Sequence, residues 1–324
     1  MSSTRIHQSP LTPFKTTQFL ESLIQKDHSG ALKRQFYPAP EENDINDGHE
    51  DPIGDQLKSP IPGLVHRYRN RVLLLTSSDC FALCRFCFRK TLLTKRKNIF
   101  LQPGHIARAI DYINDHHEIW EVILSGGDPL TRSDHDLQTI FTAIEAIDHV
   151  AIVRMHSRAP VVNPARITTR LTTIFETYAK PFYFVLHVNH PAEMAPEVLR
   201  ACSQLRKSGA ILLSQTVLLK GVNNSAPVLA DLLRTLVKNG IKPYYLHHCD
   251  RAWGNSHFRV ELETGREIMA DLRRSVSGIC LPTYIFDIPH GYGKVPADRS
   301  YLNNTASGWQ AIDQDGSQHI LPII

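Results

Sequence analysis

Short runs of apolar and β-branched residues recur along the chain from residue 71 onward. Each run precedes a segment in which apolar residues return every three or four positions, the spacing of one helix face. The runs predict β-strands at Val72–Thr76, Glu121–Ser125, Ala151–Met155, Phe182–His187, Ile211–Thr216 and Pro243–His247. The segments between them predict helices at Gly104–His117, Asp134–Ile147, Ala165–Tyr178, Pro196–Ser208 and Ala226–Asn239.

Alternation of strands and helices predicts parallel pairing, because a crossover connection is needed to bring the chain back to the same end of the sheet. Right-handed crossovers wind such a chain into an open doubly wound sheet or a complete or partial barrel. The periodicity does not distinguish these folds. In all of them, groups that follow the carboxyl ends of the strands meet at one edge, where we expect the functional residues.

The first 60 residues have a different pattern. A helix is predicted near Gln18–Ile24, whereas the acidic stretch Tyr37–Pro62, interrupted by proline and glycine, has no periodicity. We interpret residues 1–60 as an N-terminal arm, residues 61–297 as the core, and residues 298–324 as a C-terminal tail.

Composition narrows the classes of protein. The 324 residues are 42% hydrophobic and 21% charged, which is typical of a globular protein and excludes disordered, collagen-like and coiled-coil classes. The formal net charge of +4 is spread along the chain, so no nucleic-acid partner is predicted. The N-terminus lacks the apolar core of a signal peptide, and no apolar run approaches the roughly 18 residues of a membrane helix. We therefore expect a cytoplasmic protein without a membrane partner.

Three of the six cysteines, Cys80, Cys84 and Cys87, lie close together directly after the first predicted strand. One loop can therefore supply three thiolates to a single centre. Structural zinc usually takes four ligands, commonly as two Cys-x-x-Cys pairs, and the sequence has no second pair. Three cysteines instead leave one iron of a four-iron cluster free to bind a substrate or cofactor. The alternatives are buried structural thiols or a zinc site completed by a distant histidine such as His66.

Two further motifs contain groups suited to ligand binding. In Ser125-Gly126-Gly127-Asp128-Pro129, after the second strand, the glycines allow close approach to the backbone and the aspartate can accept from an ammonium group. Lys294 lies in the glycine- and proline-rich turn Asp287–Pro296, with room beside its ammonium group. A lysine that forms a Schiff base with pyridoxal phosphate needs such access. For both motifs, an ordinary solvated turn is the alternative.

The spacing Cys-x3-Cys-x2-Cys, with Phe86 before the last cysteine, resembles the radical S-adenosylmethionine (radical SAM) superfamily. Over residues 60–297 the chain resembles the lysine 2,3-aminomutase family, through motifs that occur in the same order. These are Pro62-Gly-Leu-Val-His-Arg-Tyr68 with Arg71, the cysteine loop with Arg89, the Ser-Gly-Gly-Asp-Pro turn, His156-Ser-Arg-Ala-Pro160, Gln215–Asn223, Pro243-Tyr-Tyr245 with Asp250, and the Lys294 turn. The resemblance implies an α/β fold, a partial (β/α)6-type TIM barrel with an irregular N-terminal arm.

The resemblance also implies three cofactors. Cys80, Cys84 and Cys87 would hold a 4Fe-4S cluster, S-adenosyl-L-methionine would bind its open iron, and Lys294 would carry pyridoxal 5′-phosphate. Further cofactor contacts are implied for Arg67, Tyr68, Arg71, Phe86, Ser125, Gly126, Gly127, Asp128 and Gln215.

For the substrate, the resemblance assigns Arg89 to the carboxylate and both Asp250 and Asp287 to the distal ammonium group of L-lysine. Two acids in a closed pocket repel each other unless a cation lies between them, which favours a positively charged side chain.

The implied activity is that of an isomerase that converts L-α-lysine to β-lysine by radical 1,2-amino migration. An external reductant of the flavodoxin or ferredoxin type is implied as the electron donor. The chain also resembles a bacterial branch whose β-lysine is attached to elongation factor P. Two alternatives remain: an aminomutase for glutamate or arginine, and a non-catalytic iron–sulfur or zinc-binding protein.

Longer members of the family carry a C-terminal extension with further cysteines that bind zinc. Because no cysteine follows Cys280, we expect no structural zinc. The resemblance leaves the oligomeric state open, with a homo-oligomer as one arrangement.

Overall fold

The computed structural model describes residues 13–43, 48–91, 104–305, 308–313 and 315–321. Within these ranges, the central sheet has its strands in chain order, from β1 to β9. The strands are β1 (Leu64–Tyr68), β2 (Arg71–Ser77), β3 (Glu121–Gly126), β4 (Ile152–Ser157), β5 (Phe182–His187), β6 (Ile211–Val217), β7 (Lys242–His247), β8 (Thr283–Ile288) and β9 (Gly293–Pro296).

Helices connect most of these strands. In the described part of the chain they are α1 (Gln18–Lys26), α2 (Ala31–Phe36), α3 (His105–Asp115), α4 (Asp134–Glu145), α5 (Ala159–Val162), α6 (Thr169–Glu176), α7 (Pro196–Lys207), α8 (Ala226–Lys238) and α9 (Leu262–Ser275). Strands β2 to β8 pair in parallel, each with the next in the chain, and a helix connection lies between successive strands. Six β/α units therefore precede β8, which confirms the predicted (β/α)6-type barrel.

The two edge strands are antiparallel to their neighbours, β1 to β2 and β9 to β8. They approach each other across the open side of the sheet, where the backbone N–H of Lys294 donates to the hydroxyl of Tyr68 at 2.8 Å. Gly293, with φ +101°, belongs to the same contact, and a Cβ atom there would stand 3.1 Å from that hydroxyl oxygen. The sheet therefore curls until its first and last strands meet through a side chain.

The six predicted strands and five predicted helices of the core are confirmed, with small differences at their ends. The largest difference is at α6, which begins at Thr169 because residues 164–166 form a 3₁₀ turn and Thr168 caps the helix by accepting from Leu171 N. The pattern did not predict β1, β8, β9 or α9. It also missed α2, whereas the predicted first helix is confirmed as α1.

Helix α4 illustrates how the helices cover the barrel. Its buried residues Leu137, Ile140, Phe141 and Ile144 recur with helical spacing, and Ser133 caps its first turn by accepting from Asp136 N. Each such apolar side chain contributes roughly 1.5–3 kcal/mol when fully buried. The repeated units bury one continuous core between sheet and helices.

The N-terminal arm packs against the loop that carries the cysteines. Glu42 of the arm is fully buried with Arg85, which lies between Cys84 and Cys87. Nε of Arg85 donates to Oε1 of Glu42 at 2.8 Å, and Nη2 donates to Oε2 at 2.5 Å. This two-point pairing fixes the arm and the loop together.

Residues assigned to the C-terminal tail include a small antiparallel sheet of β10 (Leu302–Thr305), β11 (Gly308–Ile312) and β12 (Gln318–Leu321). In the part of the chain that the structure describes, no helix is both long and apolar enough to cross a membrane.

We predict that Glu42→Ala lowers the free energy of unfolding by about 3–5 kcal/mol, because the buried guanidinium of Arg85 loses its counter-charge. Denaturant titration under anaerobic conditions measures the change. The control is the double variant Glu42→Leu/Arg85→Met, which removes both charges and is expected to cost less than the single change. A loss below about 1 kcal/mol in Glu42→Ala, the range of a surface pair, would contradict the prediction.

Candidate active site

Two adjoining cavities occupy the interior of the barrel. The larger, of about 580 Å³, lies among the side chains of the strands and includes Lys294. The smaller, of about 160 Å³, lies against the cysteine loop. Both are lined by Arg89, His156, Gln215 and Asp250, so they share a boundary. The larger cavity has a size typical of a small-molecule site. Because the two cavities share a boundary, a ligand in one would lie next to a ligand in the other.

The cysteine loop follows β2, and Cys80, Cys84 and Cys87 all line the smaller cavity. Burial raises the pKa of each of the three thiols, to about 11 for Cys87. Three thiolates in one buried loop therefore need a cation. No three His, Cys, Asp or Glu side chains of the described residues form a site for a single metal ion. A four-iron cluster is larger and binds each cysteine through a different iron, so this set of donors fits a cluster.

Arg158 connects the loop to the rest of the barrel. Its Nη1 donates to Sγ of Cys84 at 2.8 Å, and its Nη2 donates to Glu193 at 2.9 Å and to Gln35 of the arm at 2.6 Å. Burial raises the pKa of Cys84, and the Arg158 cation opposes that rise. Arg158 belongs to the sequence motif His156–Pro160, but no role was predicted for it.

The Ser125–Pro129 turn lies at the end of β3, beside the cysteine loop. Cβ atoms added at Gly126 and Gly127 would stand 2.3 Å from Ser77 O and 2.2 Å from Asp79 O. The glycines are therefore required where two backbone segments meet, a different reason from the predicted approach of a ligand. Ser125, Gly126 and Gly127 all line the smaller cavity.

The carboxylate of Asp128 accepts four hydrogen bonds, one from this turn and three from the junction of β4 and α5. Oδ1 accepts from Leu130 N at 3.0 Å and Ser157 Oγ at 2.8 Å, and Oδ2 accepts from the backbone of Arg158 and Ala159 at 2.9 and 3.0 Å. These bonds fill the acceptor positions of a carboxylate. Asp128 thus supports the turn, and its predicted contact with an ammonium group stays a prediction that requires one of these bonds to open.

Three buried imidazoles face the smaller cavity. His156, His187 and His247 each have an Nε2 atom with no hydrogen-bond partner among the described residues. Burial lowers the pKa of all three, which favours the neutral imidazole. A buried polar atom without a partner is costly, and such atoms around a cavity favour a polar ligand there. Gln215 bonds Nδ1 of His156 at 2.9 Å and Phe86 contacts the ring of His187, so both predicted cofactor residues lie at this cavity.

Lys294 enters the larger cavity from β9. Its Nζ lies 2.5 Å from Oδ1 of Asp287 on β8, the residue with which it pairs in the sheet. Tyr68, which accepts from the Lys294 backbone, also stacks under the guanidinium of Arg71 at 3.6 Å. Arg67 lies 3.7 Å from Asp287 and has a buried Nε with no partner in the described residues. The lysine, two arginines and a tyrosine around this space fit a phosphorylated aldehyde cofactor.

The two predicted substrate acids differ in their surroundings. Burial raises the pKa of Asp287, but the imidazole of His247, 3.7 Å away, and the Lys294 ammonium outweigh it and hold the pKa well below its usual range. Burial, followed by the charge of Asp287, raises the pKa of Asp250 to about 7. Asp250 is half-buried and has no ion pair within 4 Å among the described residues, so this cavity contains an acid that lacks a cation.

Arg89 lies at the boundary of the two cavities, but its partner was not predicted. Its Nε donates to Oδ2 of Asp55 at 2.7 Å, and Arg67 donates to Oδ1 of the same carboxylate at 2.7 Å. Asp55 belongs to the irregular acidic stretch of the arm, where no periodicity or motif distinguishes it from its neighbours. Only the fold brings it to the site.

A barrel of β/α units with a three-cysteine loop after its first parallel strand defines a radical SAM protein. Residues 74–233 match the model of the Radical SAM superfamily. The chain is 40% identical to the L-lysine 2,3-aminomutase of Clostridium subterminale over 288 residues, 89% of this chain and 69% of that protein. It is 37% identical to the L-lysine 2,3-aminomutase of Escherichia coli over 281 residues, 86% and 81% of the two chains.

A relative named for a different substrate also matches. Glutamate 2,3-aminomutase of Clostridioides difficile is 37% identical over 257 residues, 78% of this chain and 59% of that protein. The chain belongs to the lysine 2,3-aminomutase family of radical SAM isomerases. The relatives share this family but differ in the substrate for which they are named.

We predict that Asp250→Asn removes a pH dependence of stability. The raised pKa of Asp250 means that the folded chain keeps a proton that the unfolded chain has already lost above pH 4. Its stabilising contribution is therefore present below its ordinary pKa and is lost as pH rises toward about 7. Relative to the isosteric Asn variant, the wild type should lose stability between pH 5 and 8, as measured by denaturant titration. A difference that is flat over this range would show that Asp250 has an ordinary pKa.

Proposed function

We propose that this protein is an L-lysine 2,3-aminomutase, which isomerises L-α-lysine to β-lysine with a 4Fe-4S cluster, S-adenosyl-L-methionine and pyridoxal 5′-phosphate. The observation that carries the proposal is Asp250, a half-buried acid that lines the cavity without a cation. A substrate whose far end is an ammonium group supplies the missing charge.

The distribution of charge in the larger cavity supports an amino acid with a cationic tail. Asp250 and Asp287 lie on β7's following loop and on β8, next to Lys294. Arg89 lines the same cavity, and its forked guanidinium suits a carboxylate. An α-amino acid held by its carboxylate at Arg89 and by its distal ammonium at Asp250 presents its α-amino group between them.

Each cofactor would be held by residues of this chain. Cys80, Cys84 and Cys87 would bind the cluster, the imidazole-lined smaller cavity would hold S-adenosylmethionine, and Lys294 would bind pyridoxal phosphate. When bound, these groups supply a hydrogen-abstracting radical and an electron sink. The barrel would hold them in adjoining cavities, which shortens the path of a reactive radical.

Glutamate is the second candidate substrate, on the strength of the glutamate-specific relative. A glutamate side chain would place a carboxylate beside Asp250 and Asp287. Like charges in a buried pocket are strongly unfavourable, so the two acids favour lysine. Arginine, which is cationic but longer, is the third candidate.

Three parts of the proposal rest on the resemblance alone. They are a flavodoxin- or ferredoxin-type reductant, attachment of the β-lysine to elongation factor P, and assembly into a homo-oligomer.

The reconstituted protein, supplied anaerobically with the three cofactors and a strong reductant, is expected to convert L-lysine to β-lysine. L-Glutamate and L-arginine, offered separately, should give little or no product. Glutamate carries the wrong charge for the two acids, and the side chain of arginine is longer than that of lysine. Chromatography of derivatised amino acids measures the products. β-Glutamate as the main product would replace lysine with the second candidate.

Cys84→Ala and Lys294→Ala are expected to separate the two cofactor sites. Loss of one of three cluster ligands should abolish bound iron, whereas loss of Lys294 should leave iron in place and abolish pyridoxal phosphate trapped by borohydride. Iron analysis and mass spectrometry of the reduced protein give the two readouts. Equal loss of iron in both variants would contradict this division of roles.

A further inference from the structure

Asp55 is a buried acid that the N-terminal arm inserts into the larger cavity. It is 3% exposed, and its two oxygens accept from two different arginines, Arg67 and Arg89, each at 2.7 Å. One carboxylate therefore joins two guanidinium groups in the lining of the larger cavity. Charge-assisted bonds of this length are among the stronger polar contacts in proteins.

The segment that carries Asp55 is held in place at several points. The carboxylate of Asp51 accepts from the backbone N–H groups of Asp55 and Gln56 at 2.9 and 2.8 Å, and Ser59 Oγ donates to Asp55 O at 2.7 Å. Gly54, with φ +68°, lies so close to Gly291 that a Cβ atom would stand 2.6 Å from its backbone nitrogen. The arm thus presents Asp55 from a rigid segment that also touches the turn before Lys294.

The hydrogen bond to Asp55 leaves both Nη groups of Arg89 available. Nε of Arg89 is taken by Asp55, whereas neither Nη group makes a hydrogen bond or ion pair with the residues that the structure describes. Two parallel N–H groups of a guanidinium can hold a second carboxylate. Arg89 is in this way oriented by one carboxylate and free to bind another.

The alternative partners of these arginines are the acids proposed to bind the substrate ammonium. Nη1 of Arg67 already lies 3.7 Å from Oδ1 of Asp287, and the charge of Arg89 lowers the pKa of Asp250. Without Asp55, each guanidinium would gain by turning toward these acids, because a buried cation without a counter-charge is costly. Such pairing would neutralise both ends of the substrate site at once.

We propose that Asp55 is a positioning residue for substrate binding: it holds the guanidinium of Arg89 away from Asp250. Arg89 is then available to the α-carboxylate of an amino acid, and Asp250 is available to its distal ammonium. This inference rests on the proposed function. It gives the N-terminal arm a direct part in the site.

The test is steady-state kinetics of the reconstituted enzyme with L-lysine. Asp55→Asn, which keeps the shape and removes the charge, should raise KM for L-lysine roughly tenfold or more, with kcat changed far less. Asp55→Glu restores the charge and should recover part of the loss. The matched control is Leu57→Ala, on the exposed side of the same segment, which should leave both constants unchanged.

The pattern of constants decides between positioning and general damage. An unchanged KM in Asp55→Asn, or equal loss of kcat in Asp55→Asn and Asp55→Glu, would overturn the proposal. If Asp55→Asn does not fold, Asp55→Glu carries the test, because its displaced carboxylate should raise KM for L-lysine while kcat stays close to the wild-type value.

Crystal structures of the wild type and Asp55→Asn separate this proposal from the proposed function. If the wild type converts no lysine, the proposed function fails, and the position of Arg89 still tests the role of Asp55. An Arg89 guanidinium turned onto Asp250 in the variant supports the proposal. An unmoved Arg89 with its Nη groups in the cavity would overturn it.

Discussion

Charge pairing inside the barrel is the constraint on which the site depends. An ion removed from water costs several kcal/mol unless a partner of opposite charge replaces the solvent. Asp287 meets this requirement with Lys294 and Arg67, and Asp55 meets it with Arg67 and Arg89. Asp250 does not meet it, and its raised pKa is the consequence. The unsatisfied acid is the basis of the proposed preference for a cationic substrate.

The N-terminal arm belongs to the same system of buried charges. Glu42 pairs with Arg85 inside the cysteine loop, Gln35 bonds Arg158, which in turn bonds Cys84, and Asp55 joins two arginines of the cavity. Each contact connects the arm to a different part of the site. A segment without periodicity thus has a structural purpose, because it supplies counter-charges and acceptors that the β/α units lack.

Closure of the sheet brings the two proposed cofactor regions together. The cysteine loop follows β2 near the beginning of the barrel, and Lys294 lies on β9 at its end. The hydroxyl of Tyr68 on β1 accepts from the backbone of Lys294, so the edges of the sheet meet beside the larger cavity. Radical chemistry requires this proximity, since a reactive group that travels far encounters other side chains.

Much of this arrangement follows from the sequence. Hydrophobic periodicity determined the six central strands and five of their helices, because each strand and helix buries a regular face whatever its neighbours are. The spacing of Cys80, Cys84 and Cys87 indicated a three-ligand centre, since neighbours in one loop stay neighbours in the fold. The strands β8 and β9 and helix α9 were not predicted.

The tertiary structure alone decided which distant groups meet. Asp55 and Arg89 are 34 positions apart in the sequence. The carboxylate of Asp128 accepts one hydrogen bond from its own turn and three from the junction of β4 and α5. The close approach that requires Gly126 and Gly127 involves the backbone of Ser77 and Asp79. Pairing of buried charges depends on the path of the whole chain through the barrel, and no local pattern of residues encodes that path.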